Sequence, residues 1–452
     1  MMKKKLSLST TQIILLGFLI TILIGSVLLS LPVSAADGQA VPYIDALFTA
    51  TTATCVTGLV TVPTATTWSL FGQVVILVLI QVGGLGIITI MTGVMLLLNR
   101  RIGVSDRLLI QDAFNLNTMS GLVSFVRKVL LGTLIIEGIG AALYMLVFVP
   151  EFGARGIWIS VFNSVSAFCN AGMDIIGLNS LCNYATDPLV NFTTSALLIL
   201  GGFGYIVWWD VIRVLKTRTK QNRKEFRHLT LHSKIAIFST FVLLVSGTVL
   251  FLIFEYNNPL TIRNLSFFDK LRVAAFQSVT TRTAGFATVP QEDLTNASSM
   301  VALLLMFIGG SPVGTAGGVK TVTMAVLVCS ALSSIRSRNE TALFGRSVSR
   351  QSITKAVAVV TASFAIAFTS TVLLSAVMNE SALDILFETV SATATVGLSR
   401  NLTGSLNLAG KIIIIVTMYF GRVGPISLAV ALGSKKTSQN IVKNPTEEIS
   451  IG

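Results

Sequence analysis

Four short glycine-bearing stretches divide this chain into nearly equal parts: "TATCVTGL" at 52–59, "SAFCNAGM" at 166–173, "SVTTRTAGF" at 278–286 and "SATATVGL" at 391–398. Their glycines, Gly58, Gly172, Gly285 and Gly397, follow one another at intervals of 114, 113 and 112 residues. A unit repeated at constant length is expected to fold the same way each time, so four equivalent units are expected. Each stretch breaks an apolar context with threonine, serine and glycine, a composition that suits backbone turned away from both helix and strand.

What surrounds the stretches sets the solvent. Apolar residues make up 52% of the 452-residue chain and charged residues only 12%, which does not suit a soluble core. Runs near the ~20 residues that cross a bilayer lie at 12–31, 69–98, 122–149, 188–212, 231–254, 300–330, 353–377 and 410–433. Between the two spans of each unit stands a short amphipathic segment, "YIDALFTATTA", "WISVFNSVSA", "FDKLRVAAFQSV" or "LDILFETVSA". Each is too short to cross, and irregular backbone follows it. Such a re-entrant helix and loop is tolerated at membrane depth only where protein or a water-filled cavity surrounds it. The expected fold is therefore an all-α polytopic membrane protein. It has four tandem span, pore-loop, span repeats at 1–105, 106–220, 221–340 and 341–452, arranged with pseudo-fourfold symmetry around one central pore. Asp45, Asp269 and Asp384, at or near the starts of three short segments, are expected to cap free N–H groups there.

A net charge of +13 raises the question of nucleic acid. The basic residues, however, concentrate at Lys3–Lys5, Arg100–Lys128, Arg213–Lys234, Arg336–Lys355 and Lys435–Lys443, the N-terminus, alternate loops and the C-terminus. Topogenic charge explains this pattern, with both termini cytoplasmic in a cell membrane, and no nucleic-acid partner is expected. The first apolar run is longer than a signal-peptide core and reads as a retained span. The four cysteines lack metal spacing; Cys55, Cys169 and Cys182 are expected on or near the outer face, which leaves a disulfide open. His228 and His232 are four apart but lack the glutamate and further ligands of a zinc site. With no nucleotide fingerprint, nucleophile motif or long cytoplasmic stretch, neither an enzyme nor a resident cofactor is expected.

Four loops around one axis can present carbonyl oxygens that replace the water around a permeating cation. Glycine gives such a loop the dihedral angles that aim successive carbonyls inward. At these residues the chain resembles the potassium transporters of the Trk, Ktr and HKT superfamily, most closely the membrane subunits of Ktr systems. The phrases "TGL", "NAGM", "RTAGF" and "TVGL" carry the resemblance. It implies a potassium selectivity filter built from Cys55, Val56, Thr57 and Gly58; Cys169, Asn170, Ala171 and Gly172; Thr283, Ala284 and Gly285; and Thr395, Val396 and Gly397. It further implies a homodimer in the lipid bilayer on a cytosolic ring of nucleotide-binding RCK subunits. Potassium is the implied cargo, with sodium as a second candidate ion and as a stimulator of transport in some relatives, and no metal is expected beyond the transported ion.

The second spans carry "QVGGLG", "LGGFG", "FIGGSPVG" and "YFGRVG". In the first two, close packing of a continuous helix is the expected role of the glycines. The third is different, because "GGSPVGTAGGVKT" at 309–321 cannot remain helical. By resemblance it is an intramembrane gate, matched through Gly314, Thr315, Ala316, Gly317, Gly318 and Lys320. Arg422, costly inside the fourth span, is expected to bond carbonyls of that loop or to act as an electrostatic barrier. Glu137 needs a partner as well, and Arg282 is the candidate; Arg282 is not expected to face the ion. Two other readings compete with the pore. A solute transporter with broken helices at the midplane would show two repeats rather than four, and an intramembrane hydrolase would need a nucleophile and base that are absent.

Overall fold

The computed structural model describes residues 9–98, 102–113, 121–216, 228–338 and 340–424. The chain opens with α1 (Thr10–Leu29), whose N-terminus is closed by a reciprocal pair between Ser9 and Gln12. Then come the short α2 (Tyr43–Cys55), a single turn α3 (Thr64–Thr67), α4 (Leu70–Leu85), α5 (Ile87–Leu97) and α6 (Val104–Ala113). The pattern recurs as α7 (Leu122–Phe152), α8 (Ala154–Phe168), α9 (Pro188–Gly202) and α10 (Tyr205–Lys216). It recurs again as α11 (Leu231–Glu255), α12 (Phe267–Thr280), α13 (Asn296–Phe307) and α14 (Thr321–Ile335). A two-residue hairpin, β1 (Ala342–Leu343) with β2 (Arg346–Ser347), leads to α15 (Arg350–Val377), α16 (Ala382–Ala394) and α17 (Leu408–Val423).

Among the described residues four helices, α1, α7, α11 and α15, are long and apolar enough to cross a membrane. They expose large apolar side chains such as Ile24, Ile139, Phe241 and Phe364, as surfaces solvated by lipid tails do. The short helices α2, α8, α12 and α16 are enclosed instead. Their buried faces are rich in polar groups, including Thr49, Thr51, Thr52, Ser164, Ser166, Ser278 and Thr389. Buried polar groups in lipid must find partners within the protein, and here hydroxyls commonly bond carbonyls of their own helix, as Thr51 does to Leu47 at 2.7 Å.

Two expected spans are broken. The 69–98 run bends by 103° between α4 and α5, and the 188–212 run bends by 96° between α9 and α10. The corners fall at Gly86 (φ 85°) and Gly204 (φ 83°), which side chains would strain. Close packing is nevertheless real. A Cβ on Gly84 would come within 2.6 Å of the Cys169 sulfur, and one on Gly201 within 2.7 Å of Thr315 and Asn170 oxygens. The glycine clusters therefore do two jobs, with the packing residues placed just before the corner residue. Gly424, after α17, repeats the corner geometry (φ 88°); the rest of the expected 410–433 span lies outside the described residues.

The acidic residues on the short helices act differently from the expectation. Ser266 and Ser381 are the N-caps of α12 and α16, each accepting from the backbone N–H of Asp269 or Asp384. The aspartates accept from those serine hydroxyls at 2.6 Å, which frees their second oxygens for Arg272 and Arg400, both at 2.7 Å. Asp45 pairs with Lys411 at 2.5 Å. These cations join neighbouring parts of the chain. Lys411 ties α17 to α2, Arg400 reaches Gln291 O at 3.0 Å and Ser299 Oγ at 2.8 Å, and Arg272 reaches Thr186 O at 2.6 Å. Trp158 Nε1 donates to Gln73 at 2.8 Å and completes the circuit between α8 and α4.

Candidate ion pathway

Each of α2, α8, α12 and α16 runs directly into one of the four glycine stretches. Two residues before each glycine the backbone enters the left-handed region: Val56 (φ 56°), Asn170 (58°), Thr283 (64°) and Thr395 (50°). Each glycine enters it again, at 97°, 64°, 82° and 97° in chain order. Two positive-φ residues so close together abolish the side-to-side alternation of an extended strand. Asn accepts this conformation readily, but Val and Thr do so only when the surroundings enforce it, at a cost of about 1–3 kcal/mol each. The enforcing bonds are visible. The residue before the glycine donates back to the end of its helix, Thr57 to Thr52 O, Ala171 to Ser166 O and Val396 to Ser391 O, all at 2.8 Å. The hydroxyls of Thr52 and Ser391 accept from Gly58 and Gly397 at 2.9 and 3.0 Å, and that of Ser166 accepts from Met173 at 3.1 Å.

The glycines touch one another's stretches in order. A Cβ on Gly58 would lie 2.6 Å from Ala171 O, one on Gly172 2.6 Å from Ala284 O, and one on Gly285 2.7 Å from Val396 O; one on Gly397 would strike Thr57 O. The series closes on itself. At every step the contact is with the carbonyl immediately preceding the next glycine. All four glycines also line a single cavity of about 470 Å³, built from the residues that follow them and including Asp174 and Glu292.

On the side of the preceding residues lies the non-helical stretch between α13 and α14. Its neck is zipped by Gly309 N to Val319 O (3.0 Å) and Val319 N to Phe307 O (3.1 Å). Its body lies under the ends of the short helices. Thr315 Oγ1 donates to Phe168 O at 3.1 Å and Asn170 Oδ1 at 2.7 Å, and Gly317 N donates to Thr283 Oγ1 at 3.1 Å. A Cβ on Gly317 would collide with the Thr395 hydroxyl. Ser311 N and Thr315 N are anchored on Gly202 O and Gly201 O at 2.8 and 3.2 Å. Lys320 folds back onto Ala316 O at 2.6 Å. Arg422 bridges Thr315 O at 2.6 Å and Gly83 O at 2.5 Å, so α17 holds the loop against the end of α4.

Other expectations are corrected here. Glu137 is not paired with Arg282; its carboxylate accepts from Gln81 at 3.2 Å and lies 3.9 Å from the Cys169 thiol. Arg282 turns instead to Gly309 O at 3.1 Å. Cys55 and Cys169 are fully buried where α2 and α8 end, Cys182 is partly buried, and all four cysteines are free thiols. The hydroxyls of Thr52, Ser166 and Ser391 are site groups beyond the expected set. Their signal was available, because each stands six residues before its glycine.

Comparison with known proteins agrees with this architecture. The TrkH family, described as "Cation transport protein", matches residues 7–444. The chain is 39% identical to Ktr system potassium uptake protein B of Bacillus subtilis (strain 168), covering 98% of this chain and 96% of that protein. It is 38% identical to potassium/sodium uptake protein NtpJ of Enterococcus hirae, covering 100% and 99%. The crystal structure of the potassium transporter TrkH from Vibrio parahaemolyticus superposes with a TM-score of 0.73 at 20% identity, covering 95% of this chain and 86% of that one. A helical membrane architecture with broken second helices and a family match over nearly the whole chain lead to one conclusion: this protein is a multi-pass membrane member of the TrkH family of cation transport proteins, and not an enzyme.

Proposed function

We propose that the chain is the potassium-translocating pore subunit of a Ktr-type uptake system in the cell membrane, with both termini cytoplasmic. Its four units, 1–105, 106–220, 221–340 and 341–452, surround one pore with pseudo-fourfold symmetry. The filter consists of the residues ending at Gly58, Gly172, Gly285 and Gly397, and Gly314–Gly318, Lys320 and Arg422 form a gate below it. The observation that carries this reading is the closed series in which each glycine abuts the carbonyl before the next. Main-chain oxygens on a ring of this kind can replace a cation's hydration shell, and the C-terminal ends of four helices add negative potential beneath it. Potassium is the proposed cargo because relatives in B. subtilis and E. hirae are named for it; sodium is the second candidate, from the name of the E. hirae protein. A homodimer seated on a cytosolic RCK-type nucleotide-binding ring completes the proposed assembly.

Uptake of potassium and sodium in competition tests the reading. Gly58→Ser and Gly285→Ser should each lower the preference for potassium, since the added side chain presses on Ala171 O or Val396 O. Unchanged preference in well-folded variants at all four glycines would refute the filter.

A further inference from the structure

Arg282 is the only charged residue within the four glycine stretches. It is 8% exposed, and no carboxylate among the described residues pairs with it. Its Nη2 donates to Gly309 O, at the neck of the loop where Gly309 and Val319 are zipped together. Its Nε has no hydrogen-bond partner among the described residues, and neither has the Thr240 hydroxyl on α11. Both groups line a cavity of about 20 Å³ together with Gly202 and Gly310, room for one water. One guanidinium thus belongs covalently to the third filter stretch, by hydrogen bond to the loop neck, and faces α11 across a space the size of a solvent molecule.

We infer that Arg282 is a positioning residue that couples the neck of the 309–320 loop to the third filter stretch, so that displacing the loop also reshapes the filter at Thr283–Gly285. This rests on the pore reading above. A buried guanidinium does not tolerate losing its acceptor, so when Gly309 O moves, Arg282 must follow it. Arg282 is covalently joined to Thr283, which is held in a strained left-handed conformation and is therefore the backbone position most ready to change. Thr283 also accepts from Gly317 N, so the stretch is gripped from two points on the loop. Arg422 is different. It holds the loop body through Thr315 O and belongs to no glycine stretch, so loosening it frees the loop without pulling on the filter.

Flux and potassium/sodium competition in liposomes, normalised to folded protein, separate these two kinds of contact. Arg282→Gln should raise flux and also lower potassium preference by about tenfold, the scale of one lost charge-assisted hydrogen bond. Arg282→Lys, which keeps the charge and one donor, should recover most of that preference. Gly309→Ala perturbs the coupling from the loop side, because its Cβ would press on Gly317 and Gly318; it too should change both flux and preference, and it decides the matter if Arg282→Gln does not fold. Flux that changes in Arg282→Gln or Gly309→Ala while preference stays at the wild-type value overturns the coupling, as does a lysine variant no better than glutamine. Gly58→Ser is measured alongside. If it shifts preference and the Arg282 and Gly309 variants do not, only the coupling fails; if none of them shifts preference, the filter reading fails with it.

Discussion

Val56, Thr283 and Thr395 have β-branched side chains and yet occupy the left-handed region two residues before a glycine. Nothing in residue preference foretells this, since Val and Thr normally avoid it; only the hydrogen bonds back into the ends of the short helices enforce it. The glycine positions themselves were legible, because their spacing is a property of the sequence alone. Arg422 belongs to the same scale. Its expected bonding to loop carbonyls is present at Thr315 O and extends to Gly83 O, which the sequence could not indicate across 339 residues. Arg422→Ala should free the loop and raise ion flux in liposomes, with potassium preference changed less than flux. Lys411 gives a stability prediction. Its pair with Asp45 is largely buried, with side-chain exposures of 17% and 10%, so Lys411→Met should cost about 1–3 kcal/mol. Thermal unfolding in detergent checks this, and adding Asp45→Asn should recover part of the loss.

At the scale of elements, the second membrane segments show what periodicity conceals. Apolar sequence runs without interruption through Gly86 and Gly204, so hydropathy gives one span where the backbone turns by 103° and 96°. Small residues in a membrane helix have two uses, packing and turning, and composition does not separate them. The third segment was legible because its density of glycine together with Pro312 excludes a helix. Glu137 shows the opposite failure. Charge complementarity suggested Arg282, but a buried carboxylate can be satisfied by neutral donors, here Gln81, while the arginine takes a carbonyl. If the loop is the proposed gate, deleting 311–319 should raise flux; because the deletion also removes Gly317 and Val319, which hold Thr283 and the Gly309 neck, potassium preference should fall with it. Ordinary or reduced flux from a stable deletion protein would count against a gate. Gly86→Ala should destabilise the fold, because the corner requires φ near 85° and alanine there is strained by about 1–2 kcal/mol.

For the whole molecule, the circuit of contacts explains why a charge-poor chain keeps cations away from its basic loops. Arg272, Arg400 and Lys411 each join one quarter of the chain to the next. With no hydrophobic drive between helices in lipid, polar links of this kind and close packing hold the bundle together. The chain carries no nucleotide fingerprint, so the isolated protein should transport with little response to ATP or ADP, and adding an RCK ring should confer one in liposome flux. The central claim is that four main-chain stretches form one cation site. The most direct test is a crystal soaked in rubidium or thallium and examined by anomalous scattering. A peak is expected on the axis enclosed by Gly58, Gly172, Gly285 and Gly397, at the level of the carbonyls of Thr57, Ala171, Ala284 and Val396. A bound ion found elsewhere, with the glycine ring empty at saturating rubidium, would contradict it.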